Sequence, residues 1–171
     1  ASGRLRRLPA FLAGFAILAL FWQGHHRFSR NFGLEDGTIV FLSLALVATT
    51  MFYVYPLRMV MSAAMGFFTS GWAPSEFKVT SVLEFRLIFV IYGVGFAVLA
   101  AIIAWMNLHA LRKAEQLQMD AAERLATRAE IVAHLVLVGC AALSVLLAVL
   151  IPEGRNWMFA LPGLAYGLLG I

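Results

Sequence analysis

The charged residues of this chain fall in clusters, and the uncharged stretches between the clusters have the length of a membrane crossing. Residues 8–24, 37–57 and 87–108 carry no Asp, Glu, Lys, Arg or His. Residues 131–152 carry only His134 and Cys140 as ionisable side chains, and residues 157–171 are uncharged but shorter. A helix needs about 20 apolar residues to span the hydrocarbon core, and in lipid a helix satisfies its own backbone polar groups. The pattern predicts an all-α integral membrane protein with five transmembrane helices. They cover roughly residues 8–26, 38–57, 82–111, 121–151 and 157–171, the last incomplete, in one helical domain spanning residues 1–171.

Composition agrees and excludes other classes. Only 13% of residues are charged, about half of what a soluble domain carries. The net charge of +4 is not arranged as a basic stripe beside aromatics, which speaks against nucleic acid and for basic loops facing lipid. The single cysteine, Cys140, allows no intramolecular disulfide. No Gly-rich phosphate loop, no His-Glu-x-x-His and no Ser/His/Asp set occurs, so no enzymatic activity and no cofactor are expected.

The helix ends carry their own signals. Pro9 suits a first helical turn, where a missing N–H costs nothing. Ser81 with Glu84, and Asp120 with Glu123, read as capping boxes. Between Phe96 and Val138 there is no Gly or Pro. The third and fourth helices should therefore project beyond the bilayer and meet in a tight turn near Gln118. The residues on these extensions, including Arg112, Lys113, Glu123, Arg124, Arg128 and Glu130, read as a solvated hairpin. Pro56 should kink or end the second helix, with residues 58–68 continuing as a tilted or interfacial helix. Residues 152–156 read as a turn with Asn156 capping the fifth helix. Gly163-x-x-x-Gly167, and Gly93 with Gly95, fit close helix contact. Basic residues do not fix the orientation. Six of the 13 Lys and Arg residues fall on the side of the 25–36 and 109–130 loops and seven on the other.

The most informative stretch is Phe21-Trp22-Gln23-Gly24-His25-His26-Arg27-Phe28. Trp22, His25 and His26 stand at i, i+3 and i+4 and share one helix face with Phe15 and Leu18. Indole donates, and neutral imidazole both donates and accepts. Such a face can bind a hydroxyl and a carboxylate on a neighbouring helix, or it can sit among lipid headgroups. The four histidines fall on one side of the membrane, which raises a metal or haem site as an alternative. However, adjacent histidines on a helix diverge by about 100°, and no carboxylate or cysteine repeats at ligand spacing. No metal is therefore expected.

With Trp22, His25, His26 and Arg27 in the pattern Trp-x-x-His-His-Arg, followed by Phe28, the chain resembles the transmembrane protein 175 family, the potassium channels of lysosomes and their bacterial relatives. The proline-containing stretch over residues 51–57 is similar to the end of a family helix, and the likeness continues loosely to Ala160-Leu161-Pro162. The resemblance implies a potassium channel subunit mediating passive potassium transport, with these helices standing for helices two to six of a six-helix subunit. It implies a homo-oligomer, a tetramer in bacterial members, in a bacterial plasma membrane. The cluster Trp22, His25, His26 and Arg27 would brace the first helix by hydrogen bonds. That first helix lines the family's pore and carries Arg-x-x-x-Phe-Ser-Asp, a segment this sequence lacks; Phe28-Ser29-Arg30 shares two of its residues. The chain begins without Met and ends inside an apolar run, so it is expected to be a fragment. If it is complete, a non-conducting accessory subunit of a larger membrane complex is the alternative.

Overall fold

The computed structural model describes residues 5–73, 81–150 and Gly163. Four helices follow one another: α1 (Leu8–Phe32), α2 (Gly37–Phe68), α3 (Val82–Arg112) and α4 (Ala121–Leu150). All four are long and apolar enough to cross a membrane. The expected count of five is therefore corrected to four among the described residues. The expected turn at 152–156 and helix at 157–171, Gly163 apart, lie outside those residues.

Two helices run further than charge spacing predicts. The histidine-arginine cluster does not end α1, because Phe28 beyond it is buried (2% exposed) and packs on Phe32 with ring centroids 5.1 Å apart. The helix stops one residue later at Gly33, whose φ of 55° is the left-handed cap that glycine adopts freely. Pro56 does not end α2, which continues to Phe68. Proline removes one backbone bond, but Tyr53 and Leu57 on either side of it are buried to 2% and 1% exposure. Their packing holds the helix on course, as neighbouring helices do for prolines within membranes.

α3 is the central helix and packs against each of the other three. Leu99, Ala100, Ile103, Met106 and Ala110 are fully buried along it. Its partner α4 turns Thr127, His134, Ala141, Ser144 and Ala148 inward. Apart from His134 these are small residues, and small residues let two helices approach closely where apolar transfer adds little. At the turn, Gln118 takes φ 51°. The Asp120–Glu123 box is fully formed there: the Glu123 N–H donates to Asp120 Oδ1 (2.7 Å) and the Asp120 N–H to Glu123 Oε2 (3.0 Å). Ser81 Oγ accepts from the Glu84 N–H at 3.1 Å and starts α3. At 1.5 Å per residue the 31 and 30 residues of α3 and α4 reach about 45 Å, well past a 30 Å hydrocarbon core.

Large apolar side chains cover the outside. Phe41, Met51, Phe52 and Tyr55 are each more than two-thirds exposed. A soluble monomer rarely shows such a surface; a membrane helix shows it to lipid or to a neighbouring subunit.

Candidate functional site

The polar residues that the apolar pattern does not explain gather at one end, where α1 finishes, α2 starts, α3 finishes and α4 starts. The close approach of helices there begins at Gly24. A Cβ at that position would lie 3.3 Å from Ile103 Cδ1 and 3.4 Å from His134 Nε2. The missing side chain lets α1 settle against α3 and α4 just before its polar cluster.

The cluster then divides. His25 turns inward, and its Nε2 lies 3.1 Å from Ser43 Oγ on α2. Arg27 reaches α4, where its guanidinium pairs with the Glu130 carboxylate. Trp22 faces out (62% exposed) and stacks on the His25 ring at 5.6 Å. His26 is exposed. Thus two of the four residues tie α1 to other helices of this chain, and two present a polar-aromatic face outward.

A second knot joins α2 to α3. Asp36 precedes α2, and its Oδ1 accepts the Ile39 N–H at 3.0 Å. Its Oδ2 accepts from Lys113 Nζ at 2.7 Å and lies 2.8 Å from His109 Nε2. Lys113 first, then His109 and the Ile39 N–H, hold the Asp36 carboxyl well below the usual carboxylate range. These bonds also place the turn after α1 and the turn after α3 at the same end of the molecule. On α4, His134 Nδ1 lies 2.8 Å from the Glu130 carbonyl oxygen.

Each of His25, His109 and His134 has a different partner. Among the described residues no three His, Cys, Asp or Glu side chains come together as a metal site. His25 and His109 tie helices to one another, His134 bonds within α4, and the Arg27–Glu130 pair stands at a cavity of about 460 Å³. Arg27, Asn31, Asn107, Thr127 and Glu130 are among its walls. Sequence reading identified the α1 side of these ties and missed Ser43, Asp36 and the role of Glu130. Asp36 was within reach: it is an aspartate immediately ahead of an apolar helix, and helix parity brings residues 109–113 to its end.

No protein-family model matches the chain. It is 25% identical over 169 residues, 96% of its own length and 68% of the relative's, to a protein of Marivirga tractuosa named "Potassium channel". Its fold matches the crystal structure of a variant of the potassium channel MtTMEM175 in complex with a nanobody–MBP fusion protein. The TM-score is 0.82 at 24% identity, over 96% of this chain and 73% of the other. The arrangement of α1 to α4 is therefore a fold found in a channel subunit.

Proposed function

We propose that this chain is a potassium channel subunit of the transmembrane protein 175 type, serving passive potassium movement across a membrane rather than an enzymatic reaction. The observation that carries the reading is the match, over 96% of the chain, to potassium channels both in sequence and in fold. The Trp22-His25-His26-Arg27 cluster supports it: two members anchor α1 within the protomer, and the other two are free to meet a further helix. The family's signature Arg-x-x-x-Phe-Ser-Asp is on none of the four helices. In this reading the pore is lined by a helix from outside this stretch, and α1 braces it. Assembly as a tetramer in a bacterial plasma membrane belongs to the same proposal.

The test is potassium-driven flux into liposomes from two proteins: these 171 residues, and the same residues preceded by a helix bearing the family signature. The first should give no flux above empty vesicles, and the second should conduct. Flux from the first would move the pore to one of α1–α4. Silence from both, with both correctly inserted, would favour the accessory-subunit alternative.

A further inference from the structure

The cavity between α1, α3 and α4 has a chemistry that bracing alone does not use. Its volume of about 460 Å³ falls within the range that holds small molecules. The charge-free stretches 8–24 of α1 and 87–108 of α3 finish beside it, so it sits where the bilayer gives way to water. Asn31 and Glu123 on its rim are exposed. Asn107 and Thr127, at 5% and 3% exposure, form its deep end. The helices hold these residues in step. α1 and α4 run antiparallel, with Gly24 against His134 and Arg27 against Glu130. One more turn brings Asn31 level with Thr127, and Glu123 lies a turn beyond.

The hydrogen bonds at the deep end decide what it can accept. Asn107 Nδ2 donates to the Ile103 carbonyl oxygen at 2.9 Å. That bond fixes the amide's orientation, because a flip would set two oxygens against each other. Asn107 Oδ1 is left on the cavity wall with no partner among the described residues. The Thr127 hydroxyl spends its hydrogen on the Glu123 carbonyl oxygen at 2.8 Å and keeps its lone pairs. Glu130 gives Oε1 to Arg27, while its Oε2 stands 3.9 Å from His134 Nδ1, too far for a hydrogen bond. Three acceptors thus remain on the lining, and a buried acceptor left unpaired is costly. A primary ammonium brings three N–H donors and no acceptor. Phe32, Leu117 and Met119 line the same cavity and offer an alkyl chain an apolar wall.

We propose that this cavity binds a primary aminoalkyl compound from the aqueous side, its ammonium on Asn107, Thr127 and Glu130 and its alkyl chain along Phe32, Leu117 and Met119. Free monoamines and oligoamines share this end group. The proposal rests on the geometry of this end and not on potassium conduction, so binding is read directly and not through flux.

Isothermal titration calorimetry of the purified chain in detergent, in potassium chloride buffer, tests it. Butylammonium should bind saturably and about tenfold or more tighter than tetraethylammonium, which has no N–H, or butyrate, which has the opposite charge. Thr127→Val and Asn107→Leu each exchange an acceptor for methyl groups and should each weaken butylammonium about tenfold. Glu115→Gln, which removes an exposed carboxylate outside the cavity, should leave its affinity unchanged. Tighter binding of terminal diaminobutane, lost in Glu123→Gln, assigns the site to oligoamines; equal binding of the two assigns it to monoamines, and both uphold the proposal. Absence of saturable butylammonium binding overturns it. So does equal affinity for tetraethylammonium, which means charge attraction alone, or tighter binding of butyrate, which means an anion site on Arg27. Binding seen in choline chloride and lost in potassium chloride of equal ionic strength would mean a metal-cation site, and it also refutes the proposal. If one of the two cavity variants fails to fold, undiminished affinity in the other decides against it.

Discussion

Asp36 serves three partners with one carboxylate, and each of them favours its charged form. The Ile39 N–H, the Lys113 ammonium and His109 all lie within 3.0 Å of its oxygens. A carboxyl whose pKa is depressed by folding adds stability that is fully present above its unfolded pKa. That stability is lost as pH falls through about 3.9 towards the folded value. Melting in detergent should therefore decline from pH 7 to pH 3 more steeply for the wild type than for Asp36→Asn. The variant keeps an acceptor for the cap but has no charge to titrate. It should start lower at pH 7 and converge on the wild type in acid. Parallel pH curves for the two proteins would mean that the Asp36 knot does not hold the helix ends together. The same residue shows where sequence reading stops. Position 36 ahead of an apolar run is legible as a helix cap. That its second oxygen meets residues 109 and 113 depends on how far α3 extends and how it is rotated, which spacing alone does not fix.

At the scale of elements, α2 and α3 cross where Tyr53 lies over Gly95. Tyr53 is 2% exposed, and a Cβ built on Gly95 would overlap its ring. Gly95→Ala must push the ring out of its rotamer or the helices apart, and overpacking of this kind costs about 1–3 kcal/mol. Gly139 is the control: it lies in α4, and a Cβ there meets nothing within 4 Å. Gly139→Ala should be neutral or stabilise by up to about 1 kcal/mol, the difference in helix propensity. Denaturant unfolding in mixed micelles measures both, and equal effects would rule out the Tyr53–Gly95 crossing. The glycine pair at 93 and 95 was readable as a helix contact, but the tyrosine it faces was not. The element boundaries show the same limit. Charge clusters and a proline predicted ends at residues 26 and 57, whereas α1 and α2 reach Phe32 and Phe68. Burial of Phe28 after the cluster, and of Tyr53 and Leu57 around Pro56, decided those cases. Burial is set by neighbouring helices that a local pattern does not contain. The crossing helices themselves were legible, because lipid leaves an uncharged stretch of that length few other structures.

At the scale of the whole molecule, the open question is which apolar faces meet lipid and which meet protein, since exposure in one protomer looks the same for both. Trp22 and Leu20 pose it most sharply. They are 62% and 50% exposed and lie two positions apart, about 200° around α1. In the proposed channel the face of Phe15, Trp22 and His26 packs on a further helix, while Leu20 faces lipid. Trp22→Ala then removes a large ring and its N–H donor from a protein contact. Truncating a buried Trp costs about 3–5 kcal/mol in soluble cores. In a membrane the apolar share is smaller because lipid replaces the lost contacts, and a hydrogen bond across helices adds about 0.6 to 2 kcal/mol. Leu20→Ala exchanges protein–lipid contact for more lipid and should stay within about 0.5 kcal/mol. The measurement is the detergent concentration at which the oligomer of the channel-competent protein dissociates, read alongside its potassium flux. Trp22→Ala should dissociate earlier and conduct less, with Leu20→Ala close to the wild type on both. If Leu20→Ala is the more damaging of the two, the bracing face lies on the other side of α1, and Trp22 with His26 is an anchor at the membrane–water interface.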